Sequence, residues 1–198
     1  IEQFVFFDEA TRANAPVPMI ALNTVGPTIM RHGTQEQKDR FLPGILSGDL
    51  DFAIGYTEPG SGTDLASLRT RATRQGDAFV VNGSKVYTTG GDVADFVWLA
   101  CRTDPEAPKH KGITILLVDT TSPGFSWTPI RTIGGEVTTA TYYEDLVVPA
   151  EMVVGEVDAG WQLITSQLNH ERVALAAMGG RSLEVFEAVR AWAAEEPT

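Results

Sequence analysis

Tyr56-Thr57-Glu58-Pro59-Gly60-Ser61-Gly62-Thr63-Asp64 follows the apolar residues Phe52-Ala53-Ile54 and reads as a strand end passing into a Pro/Gly turn. Glycines at 60 and 62 let a ligand approach the main chain. The hydroxyls of Thr57, Ser61 and Thr63 offer donors and acceptors suited to a polar ring or a phosphate. Many surface turns share this composition and bind nothing, so its meaning rests on what surrounds it.

Working outward, short β-rich runs are predicted at 52–56, 71–74, 78–85, 96–101, 113–119, 125–129 and 140–148, separated by turn signals at the intervals of an all-β sandwich or barrel. Gly76-Asp77 and Asn82-Gly83 read as hairpin-type turns, the second ending one strand so that another begins at Ser84. Before Asp51 the apolar spacing is helical, broken by Pro16, Pro18, Gly26 and Pro27. Thr34 with Gln37 forms a capping-box pattern that starts a helix over 35–46, ending near Gly48. From Trp161 the spacing is helical again, and Gly179-Gly180 is positioned to kink that helix or pack it closely against a neighbour. The fold class is therefore α+β, with a central all-β barrel or sandwich flanked by helices: residues 1–50, then 51–157, then 158–198. The α-β-α order with ragged ends, and a first residue that is Ile1, suggest a larger parent.

The chain has 198 residues, 43% hydrophobic and 21% charged, enough for a sizeable core. Its formal charge of -11 argues against a nucleic-acid partner, because phosphate binding needs a basic surface. The single cysteine, Cys101, ends an apolar run and reads as a small buried hydrophobe, making the reducing cytoplasm the default location. No apolar stretch is long enough to span a bilayer, and no basic start with a cleavage site opens the chain. His32 and His170 are far apart and lack metal-ligand spacing with Cys101, so no metal is expected.

The company kept by the 56–64 turn resembles the acyl-CoA dehydrogenase family. Its members carry a T-E-P-x-x-G-S/T-D run, then N-G-x-K-x-W/Y-I/T-T, then a strand ending in a V-P turn that closes on Gly. This chain has Thr57 to Asp64, Asn82-Gly83-Ser84-Lys85-Val86-Tyr87-Thr88-Thr89, and Val148-Pro149 with Gly155. Gly33-Thr34 with Gln37-Lys38 and Phe41-Leu42-Pro43 is similar to the family's last N-terminal helix, and Leu168-Asn169-His170-Glu171-Arg172 to the start of the first C-terminal one.

The resemblance implies FAD as cofactor and removal of two hydrogens across the Cα–Cβ bond of an acyl-CoA, with the β-hydrogen passing as hydride to flavin N5. It places Tyr56 and Thr57 against the isoalloxazine, through main-chain and hydroxyl hydrogen bonds, with Gly62, Thr63, Tyr87, Thr88 and Thr89 as further cofactor contacts. Thr63 matches a residue between the flavin phosphates and acyl-CoA. Tyr87 matches an aromatic, usually Trp, that packs on the flavin, and Thr89 a hydroxyl near N5; an aromatic plane suits a flat ring, and a donor at N5 tunes the hydride acceptor. Asn169, His170 and Arg172 match the substrate side.

An α-proton beside a thioester is a very weak acid, so its base must be a carboxylate in a dry pocket. Two positions serve in different branches of the family. One lies beyond Thr198; the other is matched by Glu171, whose following residues, 174–178, are small or apolar. Glu171 as base implies a bulky or branched acyl group. The competing reading makes Glu171 and Arg172 a structural charge cluster between helices. The resemblance further implies a homo- or hetero-oligomer, with an electron-transfer flavoprotein or similar acceptor. A catalytically silent partner subunit and a flavin-dependent monooxygenase of the same fold are the alternative functions. Lys109 and Lys111 either meet CoA phosphates or belong to a solvated loop.

Overall fold

The computed structural model describes residues 1–195. Its N-terminal layer is helical. Helix α1 (Glu2–Arg12) carries Glu2 in its first turn and Arg12 in its last, matching the helix dipole at both ends. A π-helical turn, Ala21–Val25, runs directly into α2 (Gly26–His32). Helix α3 (Gln35–Ser47) begins with the expected capping box. The Gln37 amide donates to Thr34 Oγ1 at 3.2 Å, and the Thr34 amide to Gln37 Oε1 at 3.1 Å. It stops at Gly48, whose φ of 80° is a left-handed C-cap that favours glycine.

Eight strands follow: β1 (Phe52–Gly55), β2 (Arg71–Gln75), β3 (Ala78–Lys85), β4 (Phe96–Arg102), β5 (Ile113–Asp119), β6 (Phe125–Arg131), β7 (Val137–Pro149) and β8 (Val153–Val154). The sheet order is β6-β7-β3-β2-β4-β5-β8, and β1 pairs with β4 off that path. Most pairings are antiparallel, but β1 and β2 both run parallel to β4. The β2–β4 junction rests on one register pair, Arg71 with Arg102, so two well-paired halves meet at a narrow seam. Strand β4 is buried along its whole length, which explains why it reads as a continuous apolar run rather than an alternating one.

The core lies where the helical layer meets β1 and β4. Phe41 of α3 stands edge-on to Phe96 and Phe52, with ring centroids 5.2 and 6.0 Å away. Each such buried ring contributes about 1.5–3 kcal/mol relative to exposure. Gln37, after capping α3, reaches across to donate to the carbonyls of Glu151 and Val153, both at 2.7 Å. Two helices close the chain, α4 (Gly160–Met178) and α5 (Gly180–Glu195). They break at Gly179-Gly180 as expected, and a Cβ on Gly180 would lie 2.9 Å from Asp8 Oδ1 of α1. Of the two expectations for the glycine pair, close packing against a neighbour is the one this approach supports.

Asn82-Gly83 is not a hairpin turn. Strand β3 passes through it and shifts register against β7 between Val81 and Gly83. The residue types suit a bulge as well as a turn. Asn82 Oδ1 accepts from the Asp145 amide and its Nδ2 donates to the Asp145 carboxylate, each at 3.0 Å. Gly83 adopts φ 152°, and a Cβ there would fall 2.7–2.9 Å from Thr70. Strand β7 also runs longer than 140–148, because Val137–Thr139 pair with Arg131–Pro129 of β6.

Candidate functional site

Strands β1 and β3 end side by side, and the chain leaving each is tied to the other. The Val86 amide donates to the Thr57 carbonyl at 2.8 Å. Beneath that contact lies an ion pair that the sequence reading missed. Lys85, fully buried, donates through Nζ to Glu58 Oε1 at 2.9 Å and to the Tyr56 carbonyl at 3.0 Å. The Glu58 carboxylate also accepts from the amides of Arg69 at 2.7 Å and Thr70 at 2.8 Å. Burial pushes the Glu58 carboxyl up, but the Lys85 charge and these hydrogen bonds outweigh it and hold the group below the ordinary glutamate value. Burial likewise pulls the Lys85 ammonium down, with Glu58 opposing. The signal available in the sequence was a lysine at an inward position of an alternating strand and a glutamate inside a Pro/Gly turn.

Of the expected cofactor residues, Thr57, Gly62, Thr63, Tyr87 and Thr89 are at least partly exposed, while Tyr56 and Thr88 are buried. Among the described residues the amides of Thr57, Gly62, Thr63 and Tyr87 donate to no other group. Gly60 and Gly62 have ordinary φ and room for a Cβ, so the local fold does not demand glycine at either place. Tyr87 is 66% exposed and holds φ 59°, a conformation costly for a bulky side chain that locates strain where an aromatic plane stands in the open. Thr89 Oγ1 lies 3.2 Å from Thr138 Oγ1. Thr88 is turned inward: its amide donates to the Thr139 carbonyl at 2.9 Å and its carbonyl accepts from Thr139 Oγ1 at 2.6 Å. Thr88 thus fixes the course of the segment, while Tyr87 and Thr89 carry its accessible groups. Free amides, hydroxyls and an exposed ring form a donor set that fits a flat, carbonyl-bearing ring with attached phosphates.

Tyr56 differs from expectation in its side chain. Its hydroxyl donates to Gln167 Oε1 and accepts from Trp98 Nε1 at 3.0 Å, so it is committed to the interior and only its main chain faces the turn. Burial drives the Tyr56 phenol far up, opposed by the Trp98 hydrogen bond and reinforced by the charge of Glu171. Glu171 lies one helical turn beyond Gln167, the residue that holds the Tyr56 hydroxyl. Glu171 is half-buried on α4, and burial alone raises its carboxyl above the ordinary glutamate value.

The residues around Glu171 separate by helical phase. Leu163, Ile164, Gln167, Ala174 and Ala177 are buried, whereas Asn169, His170 and Arg172 are exposed on other faces. The expected apolar wall over 174–178 is only partly formed: Ala174 and Ala177 pack against Phe7 of α1, while Leu175, Ala176 and Met178 are exposed. Lys109 is taken up by Asp64, with its Nζ at 2.8 and 3.0 Å from the two carboxylate oxygens, an exposed pair of the solvated-loop kind. Among the described residues no cluster of three or more His, Cys, Asp or Glu could hold a metal ion, and no helix is long and apolar enough to cross a membrane.

Residues 1–49 match the family described as acyl-CoA dehydrogenase, N-terminal domain, and residues 53–145 match acyl-CoA dehydrogenase, middle domain. The chain is 58% identical over 194 residues to acyl-CoA dehydrogenase FadE29 of Mycobacterium tuberculosis, an alignment covering 98% of this chain and 50% of that protein. Among solved structures it is similar to the Tcur3481-Tcur3483 steroid ACAD, with a TM-score of 0.95 and 62% identity over 99% of this chain and 52% of the other. The ChsE4-ChsE5 complex from Mycobacterium tuberculosis gives a TM-score of 0.81 and 58% identity over 85% of this chain and 44% of the other. The chain thus spans about half the length of the relatives it matches.

Proposed function

The chain belongs to the acyl-CoA dehydrogenase family, and from that premise we propose that the complete protein dehydrogenates a bulky acyl-CoA thioester to the enoyl-CoA with Glu171 as base. The observation that carries this reading is a half-buried carboxyl, raised by burial, on the helix whose Gln167 bonds the Tyr56 hydroxyl. A base for a very weak carbon acid needs a raised pKa, because proton affinity supplies driving force that an ordinary glutamate lacks. An acyl group of steroid type is supported by the name of the steroid ACAD, similar to this chain at 62% identity.

In this reading residues 1–50 close an N-terminal helical domain, 51–157 form the central β-domain and 158–198 begin a C-terminal helical domain. The amides of Thr57, Gly62 and Thr63 and the hydroxyl of Thr89 hold FAD, with Tyr87 packed on its ring. Thr88 positions that segment from within. When bound, FAD supplies the acceptor for the β-hydrogen, leaving as hydride. Glu171 takes the α-proton, and Thr63, Asn169, His170 and Arg172 line the substrate side, the last three reaching it from exposed helical positions. The acidic chain with one buried thiol suits a cytoplasmic enzyme passing electrons to an electron-transfer flavoprotein or similar acceptor. The exposed apolar side chains Leu168, Leu175, Leu183, Phe186, Val189 and Trp192 on α4 and α5 suit burial against the rest of the C-terminal helical domain that 158–198 begins, and the ChsE4-ChsE5 complex supports an oligomer.

A second reading, a silent subunit of an unlike pair, draws support from the ChsE4-ChsE5 complex. The retained flavin-facing groups and Glu171 favour the active one. Anaerobic mixing of the complete, FAD-loaded protein with a steroid-type acyl-CoA and with a short straight-chain acyl-CoA tests the proposal. The expected result is bleaching of the flavin by the bulky thioester. Protein that takes up FAD yet bleaches with neither thioester would support the silent subunit.

A further inference from the structure

Gln167 is fully buried on α4, and its two amide atoms fare differently. Oε1 accepts the Tyr56 hydroxyl, while Nε2 is buried without a hydrogen-bond partner. A buried donor left unsatisfied costs about 1–3 kcal/mol, so a side chain this enclosed is expected to find an acceptor in its working state. The amide cannot simply exchange its two ends. Tyr56 already accepts from Trp98 Nε1, so its own proton must go to an acceptor, and Gln167 Oε1 is that acceptor. The Trp98–Tyr56–Gln167 chain therefore fixes the amide with its N–H groups directed away from Tyr56.

One helical turn on, and near enough for its charge to act on the Tyr56 phenol, lies Glu171. Side chains four apart are neighbours on a helix, and an ionised carboxylate is an acceptor only. We propose that Gln167 is a positioning residue for Glu171, its buried Nε2 donating to the Glu171 carboxylate when that group is ionised and aiming it toward the 56–64 turn. This rests on the reading of Glu171 as base. The device limits how far burial raises the carboxyl, so that a dry pocket and an ionised base coexist.

Burial is the cause that raises the Glu171 carboxyl. The charged groups beside it are His170 and Arg172 on its own helix and, on α1 packed against α4, Glu2, Asp8, Glu9 and Arg12. Asp8 and Arg12 pair with each other, and Asp8 sits beside Gly180 past the far end of α4. Tyr56, entering from the end of β1, is the titratable group electrostatically linked to Glu171.

The test follows Glu171 itself by pH-titrated infrared difference spectra of the complete protein, assigning its protonated-carboxyl band by loss in Glu171→Gln. Gln167→Met keeps the volume and removes the donor. It should raise the Glu171 pKa by about one pH unit, the size of a lost hydrogen bond to a charged group. The pH profile of anaerobic flavin reduction should move upward with it. Tyr56→Phe, which frees the amide without deleting it, should shift the band in the same direction but less, and it serves if Gln167→Met fails to fold. A band unmoved in either folded variant overturns the proposal. Near-normal turnover by Glu171→Gln would instead overturn the reading of Glu171 as base.

Discussion

Lys85→Met removes the ammonium that joins the segments leaving β1 and β3. The fold keeps Glu58 buried, so the variant leaves a carboxylate with two amide donors but no counter-charge, and the Tyr56 carbonyl loses its partner as well. Breaking a buried ion pair from one side costs about 3–5 kcal/mol, against a typical total stability of 5–15 kcal/mol. The loss should appear as a lower urea midpoint for the complete protein, with weakened FAD retention because Tyr56, Thr57 and Val86 lose their common anchor. The sign of the pH dependence supplies a sharper test. With its native pKa held below the unfolded value, Glu58 contributes stability that is present above the ordinary glutamate pKa and lost as pH falls through the depressed one. In Lys85→Met burial dominates and the carboxyl takes up a proton readily. The gap between native protein and variant should therefore narrow as the solution is made acidic. Adding Glu58→Gln should recover part of the loss at neutral pH, since the unpaired charge is gone and the amide oxygen still accepts from one of the Arg69 and Thr70 amides, which the carboxylate holds on separate oxygens. A single variant that loses less than about 1 kcal/mol, the scale of an exposed pair, would refute the reasoning.

Gly83→Ala should destabilise by about 1–3 kcal/mol, the usual range for overpacking, because its Cβ meets the Thr70 backbone and side chain at under 3 Å; an unchanged urea midpoint would contradict the bulge geometry. Tyr87→Gly removes a left-handed penalty of about 1 kcal/mol and should raise stability without FAD while lowering FAD affinity, with Tyr87→Phe retaining both; calorimetric titration of the apoprotein separates them. Burial pushes the Cys101 thiol up to about 12, so a thiol reagent in neutral buffer should label it only on unfolding, followed as absorbance against urea.

The sequence made the layered order of helices and strands legible because period and punctuation are local properties. Thr34 with Gln37 located a helix start, and the apolar run at Phe96–Cys101 located a central strand, since each is decided by nearest neighbours. Asn82-Gly83 misled because a bulge and a hairpin ask for the same residues, and the choice between them lies in Thr70 and Asp145, remote in sequence. Tyr87, Thr89 and Glu171 are picked out by motif; the first two are exposed and Glu171 is half-buried. The internal groups that hold them are not picked out in that way. Lys85 with Glu58, and Trp98 with Tyr56 and Gln167, are polar contacts spanning 27 to 111 positions, and no periodicity announces such partners. The commitment of the Tyr56 hydroxyl to the interior is hidden for the same reason, since nothing local shows that Trp98 and Gln167 claim it.

Dehydrogenation by this route requires Glu171 as the base. The most direct measurement is anaerobic flavin reduction by the complete FAD-loaded protein and its Glu171→Gln variant, mixed with a bulky acyl-CoA across a range of pH. The native rate should rise with pH through a carboxyl pKa above the ordinary glutamate value, because the ionised form is the active one. The variant should keep its flavin spectrum and lose about 10²–10⁴-fold in rate at every pH, the usual contribution of general-base catalysis. A variant that reduces its flavin at close to the native rate would contradict the account.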